Sequence, residues 1–240
     1  MQELINSIFS DKKVVIITGA GISTLSGIPD FRGKNGLYTK GQNVEYFLSR
    51  NCLIEEPEIF YDFYKNNMIM DEMKPNIIHK TLSRLEQLGY ISTIITQNID
   101  NLHELAGSKN IIHLHGDGEK FYCKSCNSKY NVKEYFNNGS ICNICGGIIR
   151  PDVVLYGERV KTENMTNAIN EIKSADIVIV LGSSLLVNTI QNVKDEFINK
   201  KGKLFIVNDQ ATPYDCYGKT YKEDLGITLR KINKEINNRG

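Results

Sequence analysis

Val14-Val15-Ile16-Ile17-Thr18-Gly19-Ala20-Gly21-Ile22-Ser23-Thr24 is the stretch from which the fold can be read. A β-branched run buried on both faces suits a strand of a parallel sheet. Closely spaced glycines at its carboxyl end let backbone N–H groups meet a pyrophosphate without Cβ atoms in the way. Thr24 stands where a dehydrogenase fingerprint has its third small residue. Gly27-Ile28-Pro29-Asp30-Phe31-Arg32-Gly33 follows, and its proline and glycines predict a loop over a bound dinucleotide in place of the first crossover helix.

Similar apolar runs recur at residues 91–96, 111–114, 177–181 and 204–207, with helical crossovers expected over 76–88, 161–173 and 189–199. Leu225, Leu229, Ile232 and Ile236 form one stripe, which predicts a closing helix over 222–236. The expected fold class is therefore α/β, a Rossmann-like parallel sheet with helices on both faces, assembled from residues 1–32, 76–117 and 148–240. Two segments interrupt it. Residues 33–75 are aromatic-rich and read as a cofactor loop followed by short helices. Residues 118–147 hold four paired cysteines but too few large apolar side chains for a core of their own, and read as a small zinc-binding module.

A chain of 240 residues with 41% hydrophobic content suits one α/β core plus a smaller attachment. A net charge of +1 creates no field that would select nucleic acid or an anionic membrane. The first nine residues lack a basic and apolar leader, and no run approaches a membrane-spanning length, so a soluble, cytoplasmic protein is expected. No long apolar stripe is left over, which favours a monomer. Cys52 and Cys216 stand apart from each other and from the pairs, and no function is assigned to them.

Cys123 and Cys126 are two residues apart, as are Cys142 and Cys145, with fifteen residues between the pairs. That is the spacing of a four-thiolate zinc site. With all four positions filled by protein, such an ion is structural and takes the place of a missing core.

The run 91–96 leads into Gln97-Asn98-Ile99-Asp100, and the run 111–114 into His115-Gly116. Amide, carboxylate and imidazole thus converge at strand carboxyl ends beside the glycine turn, where open α/β sheets bind ligands. An imidazole titrates near neutrality, so His115 at a strand tip is the candidate general base, ahead of His113 two residues earlier. His79 and His103 are read as core residues.

Taken together, these motifs resemble the sirtuin family, the NAD-dependent protein lysine deacylases. The similarity extends through Gly19-Ala20-Gly21-Ile22-Ser23, Gly27-Ile28-Pro29-Asp30-Phe31-Arg32, Thr96-Gln97-Asn98-Ile99-Asp100, His113-Leu114-His115-Gly116, the cysteine pairs, Arg150-Pro151-Asp152-Val153-Val154-Leu155-Tyr156-Gly157-Glu158, and Gly182-Ser183-Ser184-Leu185. The resemblance implies a Rossmann lobe and a zinc lobe, with NAD and an acetyl-lysine peptide in the cleft between them. The implied products are free lysine, nicotinamide and O-acetyl-ADP-ribose.

It further implies that Asn98 and Asp100 orient the nicotinamide end, that Gln97 contacts its ribose and that Ile99 is among the cofactor-binding residues. Ala20, Ile28 and Phe31 would wall off the leaving group from water, Ser23 and Arg32 would face phosphate, and Gly19, Gly21 and Asp30 would also contact the cofactor. Gly182, Ser183, Ser184 and Asn208 would hold the adenosine half. Val153, Val154 and Leu155 would line the acyl-lysine tunnel, while Gly157, Glu158 and residues 186–188, Val187 among them, would clamp the peptide as an added strand.

The chain departs from the family at Asn188-Thr189, where relatives usually carry a proline. It also has Tyr61 followed by Tyr64, without the arginine found in succinyl-removing members, so uncharged acyl groups are expected. A mono-ADP-ribosyltransferase using the same pocket is the alternative reading, and a non-catalytic zinc-ribbon module a more distant one.

Overall fold

The computed structural model describes residues 1–30, 36, 43–69, 73–186, 195–198 and 202–239. Its main element is a six-stranded sheet built from β1 (Val14–Thr18), β2 (Thr93–Thr96), β3 (Ile111–His113), β7 (Ile177–Leu181), β8 (Lys203–Val207) and β9 (Lys219–Tyr221), in the order β3-β2-β1-β7-β8-β9. Every neighbouring pair is parallel, with Val15 opposite Thr93 and Val14 opposite Ile177.

Alternation along the strands divides the core into two layers. Val14, Ile16, Ile94, Ile179, Phe205 and Val207 face α1 (Gln2–Ile8), α5 (Ile77–Gln87) and α9 (Leu225–Arg239). Val15, Ile17, Ile95, Val178, Val180 and Ile206 face Ala168 and Ile172 of α8 (Thr162–Ser174), together with Phe197. Each buried aliphatic side chain of this kind contributes about 1.5–3 kcal/mol, which is why runs apolar on both faces settle at the centre.

A second, antiparallel sheet has the order β5-β4-β6, from β4 (Gly116–Cys123), β5 (Lys129–Asn131) and β6 (Ile149–Val153). Its core is shared. Phe121, Tyr130 and Ile149, with Tyr135 of α7 (Val132–Asn138), pack with Val44 of α2 (Val44–Phe47), Leu53 of α3 (Arg50–Glu55) and Phe60 and Tyr64 of α4 (Pro57–Asn67). The aromatic segment thus supplies apolar volume that the cysteine segment lacks, and the two complete one cluster between them.

The five expected strands are all present, and so are the helices expected over 76–88 and 161–173. The closing helix starts at Leu225 and not at 222, because the Asp224 carboxylate accepts the Ile227 N–H at 2.8 Å and its carbonyl accepts the Thr228 N–H at 3.0 Å. Strand β9 and helix α1 were not anticipated. The first is three residues long at a sheet edge, and the second buries Leu4, Ile5 and Ile8 against the core. Of the helix expected over 189–199, only 195–198 lies within the described residues, and it is helical. No described helix is long and apolar enough to cross a membrane.

Candidate active site

Strand β1 is central, with β2 and β3 added on one side and β7 to β9 on the other, so the chain order reverses between β1 and β7. A crevice outside the carboxyl ends of the strands at such a switch point is where doubly wound sheets bind ligands. A cleft of about 950 Å³ opens there and runs on to the small sheet. That is near the top of the range of about 300–1,000 Å³ for cofactor sites.

Beyond β1 the chain makes two short 3-10 turns, Ala20–Ile22 and Thr24–Ser26, and no α-helix among the described residues up to 30. The Gly19 N–H donates to the Leu181 carbonyl at 3.1 Å, and the Gly21 N–H to that of Gly182 at 2.9 Å. A Cβ on Gly19 would lie 2.7 Å from the Gly182 oxygen, and one on Gly21 2.9 Å from the Gly182 Cα. The structural demand on these glycines is therefore close contact between the turns after β1 and β7. The clearance for a pyrophosphate expected from the sequence is thus joined by a demand of the fold itself.

Side chains from three turns interlock beside them. Asn98 Nδ2 donates to Ser23 Oγ at 3.1 Å, Ser23 Oγ donates to Asp100 Oδ2 at 2.9 Å, and the Leu102 N–H donates to Asp100 Oδ1 at 3.2 Å. Burial raises the Asp100 carboxyl above the usual carboxylate range, against the lowering effect of those two bonds. Gln97 Nε2 donates to Ser183 Oγ at 2.7 Å, joining the two halves of the switch point.

Strand β3 ends at His113, which places His115 past its tip, where the two sheets meet; the His115 carbonyl accepts the Val154 N–H at 2.9 Å. His115 Nδ1 lies 2.9 Å from the Gln97 carbonyl oxygen. A carbonyl only accepts, so Nδ1 carries the proton and the lone pair is at Nε2. Burial pulls the His115 pKa below its ordinary value, partly offset by the Gln97 bond.

His113 is engaged elsewhere, with Nε2 2.5 Å from Glu104 Oε1. Burial opposes its charge, but the Glu104 carboxylate prevails and raises its pKa. His79 and His103 are buried core residues as expected, their rings edge-on at 5.1 Å.

At the other end of the cleft, Arg150 is buried and holds the segment after β6 in place. Nη1 and Nη2 reach the two Glu158 oxygens at 2.5 and 2.9 Å, and Nη2 also donates to the Val153 carbonyl at 2.6 Å. Glu158 Oε2 accepts the Leu155 N–H at 3.0 Å. Tyr156 donates its N–H to the Leu48 carbonyl at 3.0 Å, and the Arg50 N–H donates to the Tyr156 carbonyl at 2.9 Å.

All the site residues expected from sequence for cofactor and peptide that fall within the described chain line this cleft: Gly19, Ala20, Gly21, Ser23, Ile28, Asp30, Gln97, Asn98, Ile99, Asp100, His115, Val153, Val154, Leu155, Gly157, Glu158, Gly182, Ser183, Ser184 and Asn208. Phe31, Arg32 and Val187 lie outside the described residues, as does Asn188-Thr189. Tyr64 and Asn67, which α4 presents at helical spacing, Met68 just past its end, and the acids Glu119, Asp209, Glu223 and Asp224 also line the cleft and are not apparent from the sequence. The spacing was visible in the sequence; which face of α4 meets the cleft was not. Tyr61 turns away and donates to the Phe136 carbonyl at 3.2 Å.

The Sγ atoms of Cys123, Cys126, Cys142 and Cys145 all lie within 4.8 Å of one another, with Cys123 to Cys145 at 3.5 Å and Cys126 to Cys142 at 3.7 Å. Four zinc–sulfur bonds of about 2.3 Å span a tetrahedron with edges of about 3.8 Å, so this donor set fits one zinc ion. The Tyr130 hydroxyl at 3.0 Å from Cys142 Sγ adds a donor to a ligand sulfur.

The Sir2 family profile matches residues 19–189. An NAD-dependent protein deacetylase of Clostridium tetani is 43% identical over 98% of this chain and 97% of its own length, and one of Thermotoga maritima is 42% identical over 98% of both. Among solved structures, a Sir2 with a deacetylated p53 peptide and 3'-O-acetyl-ADP-ribose superposes with a TM-score of 0.92 at 38% identity, covering 98% of each chain. A Sir2–p53 peptide–NAD+ complex gives 0.90, also at 38% identity and with the same coverage. The chain belongs to the Sir2 family.

Proposed function

We propose that this protein is an NAD-dependent protein lysine deacetylase, transferring the acetyl group of acetyl-lysine to ADP-ribose with release of nicotinamide. The observation that carries this reading is the placement of His115, oriented by the Gln97 carbonyl, beside the Asn98–Ser23–Asp100 chain of hydrogen bonds in the switch-point cleft.

Bound NAD would supply a ribose carbon at which the acyl oxygen can form a bond as the bond to nicotinamide breaks. Asn98 and Asp100 orient the nicotinamide end, Gln97 contacts the adjoining ribose, and Ile99 is among the cofactor-binding residues. His115 Nε2 takes the proton from a ribose hydroxyl. Ala20, Ile28 and Phe31 wall off the leaving group from water, Ser23 and Arg32 face phosphate, Gly19, Gly21 and Asp30 also contact the cofactor, and Gly182, Ser183, Ser184 and Asn208 hold the adenosine half. Val153, Val154 and Leu155 sheathe the acyl-lysine, and the main chain at Gly157, Glu158 and Val187 pairs with the peptide. The Glu158 side chain is occupied by Arg150, which supports a main-chain role for that residue.

Residues 1–32, 76–117 and 148–240 serve as the NAD-binding unit, 33–75 as the cofactor loop and helical module, and 118–147 as the zinc module. The partner is an acetylated protein and not nucleic acid, in keeping with a net charge of +1, and the protein acts as a monomer. Four ligand thiols suit a reducing, cytoplasmic compartment.

Nicotinamide release from NAD, measured with and without an acetyl-lysine peptide, tests the proposal. Release is expected only with the peptide, together with O-acetyl-ADP-ribose. Release that ignores the peptide would overturn it.

A further inference from the structure

A second pocket of about 400 Å³ lies against the segment proposed to clamp the peptide. It shares Val153, Val154, Gly157 and Glu158 with the main cleft, so the same short segment forms a wall of both. Its charges are unbalanced. Arg50, Arg150, Arg159 and Lys161 line it, against Asp152 and Glu158.

The acids are already committed. Arg150 holds both Glu158 oxygens, and Lys161 Nζ holds both Asp152 oxygens at 2.7 and 2.9 Å. Arg50 and Arg159 are left, exposed and without an ion-pair partner among the described residues. Arg50 is held in place by its main chain, which pairs with Tyr156 within the same segment. Burial pushes the Glu158 carboxyl up, but the Arg150 bond, the Leu155 N–H and the charges of Arg150 and Arg50 bring it below the usual range. Two guanidinium groups lining this pocket without an ion-pair partner among the described residues give a local excess of positive charge beside the segment proposed to clamp the peptide.

Resting on the deacetylase reading, we propose that Arg50 and Arg159 form an acid-selecting subsite, which favours acetyl-lysine substrates carrying Asp or Glu within three residues of the modified lysine. Main-chain pairing reads no sequence, and selectivity in such a mode comes from pockets beside the added strand. A guanidinium facing a carboxylate across an open pocket is a charge-assisted hydrogen bond, strong enough to select yet open to salt.

The test uses the full-length, zinc-loaded protein and a set of acetyl-lysine peptides that differ only in carrying Asp, Ala or Lys at each flanking position. For at least one position the Asp peptide is expected to have a KM about three- to tenfold below that of the Ala peptide, with the Lys peptide above both and kcat within about twofold. The difference should shrink at 0.5 M salt, to about twofold or less. In Arg50→Gln/Arg159→Gln the preference should vanish, while turnover of the Ala peptide stays within about twofold of wild type. Fluorescence anisotropy of labelled peptides reads the same preference without turnover. Loss of all deacetylation with the Asp preference retained in binding would therefore overturn the catalytic reading and leave the subsite standing. Equal affinities for the Asp and Lys peptides, or a preference that survives in the double variant, would overturn the subsite.

Discussion

His115 reaches the main-chain oxygen of Gln97 through Nδ1 at 2.9 Å, so the residue that begins the Gln97-Asn98-Ile99-Asp100 turn also fixes which imidazole nitrogen bears the lone pair. Burial lowers the His115 pKa, with the Gln97 bond opposing it, and a base must be neutral to act. Deacetylation is therefore expected to persist below pH 6.5, the ordinary imidazole value, with the acid limb of kcat/KM falling at lower pH. His115→Ala should cost about 10²- to 10⁴-fold in kcat, with NAD affinity by calorimetry little changed. An acid limb centred above pH 6.5 would contradict this assignment.

Zinc removal should disable the enzyme without touching the reacting atoms. The four thiolates close the end of the sheet whose strand β4 carries Gly118 and whose strand β6 ends at Val153, both in the cleft wall. A chelator is expected to release one zinc per chain, abolish activity and raise amide exchange over residues 116–153 before the parallel sheet opens. Readdition should restore both. Full activity in zinc-free protein would refute a structural role.

The parallel sheet was legible because its runs are apolar on both faces, and only such a sheet between two helix layers buries them; Val14 with Ile16 and Val15 with Ile17 then fill opposite layers. The site was legible where its chemistry sits on strand tips, as with Asn98, Asp100 and His115. Two things were not. Tyr64, Asn67 and Met68 enter the cleft because α4 packs on Phe121 and Tyr135 of the other inserted segment, a contact between residues distant in the chain that no local pattern encodes. The Gly182 turn, with φ of +62°, decides why Gly19 and Gly21 must lack side chains, and it too is remote in sequence.

Acyl selectivity follows from what the cleft wall lacks. None of its described residues is Lys or Arg. The Tyr64 hydroxyl is spent on the Gly118 carbonyl at 3.1 Å, and Tyr61 faces Phe136. A succinyl carboxylate would be desolvated with no Lys or Arg among the described cleft residues to meet it. Its kcat/KM should fall at least about tenfold below that of the acetyl peptide, a difference of about 1.4 kcal/mol. Succinyl turnover equal to acetyl turnover would show that a cation reaches the acyl tail.

Acid stability should depend most strongly on the buried histidine pair, with His115, whose pKa burial also lowers, adding to the same trend. Burial lowers the His79 pKa to about 4, and burial together with neighbouring His79 and His113 lowers that of His103 to about 3. Among the described residues, both nitrogens of His79 lack a hydrogen-bond partner and His103 has Thr18 Oγ1 alone, at 3.1 Å from Nε2. Below pH 6.5 the unfolded chain gains protons at these rings that the folded chain refuses, so stability falls as pH drops from 6.5 towards 4 for His79 and towards 3 for His103. At pH 5 the loss is on the order of 2 kcal/mol per ring. His79→Phe retains an aromatic contact with His103 and removes one titrating ring, so the loss of stability between pH 7 and pH 5 in denaturant titrations should shrink by on the order of 2 kcal/mol. An unchanged pH slope in that variant would mean that His79 is protonated in the folded protein, in conflict with its burial.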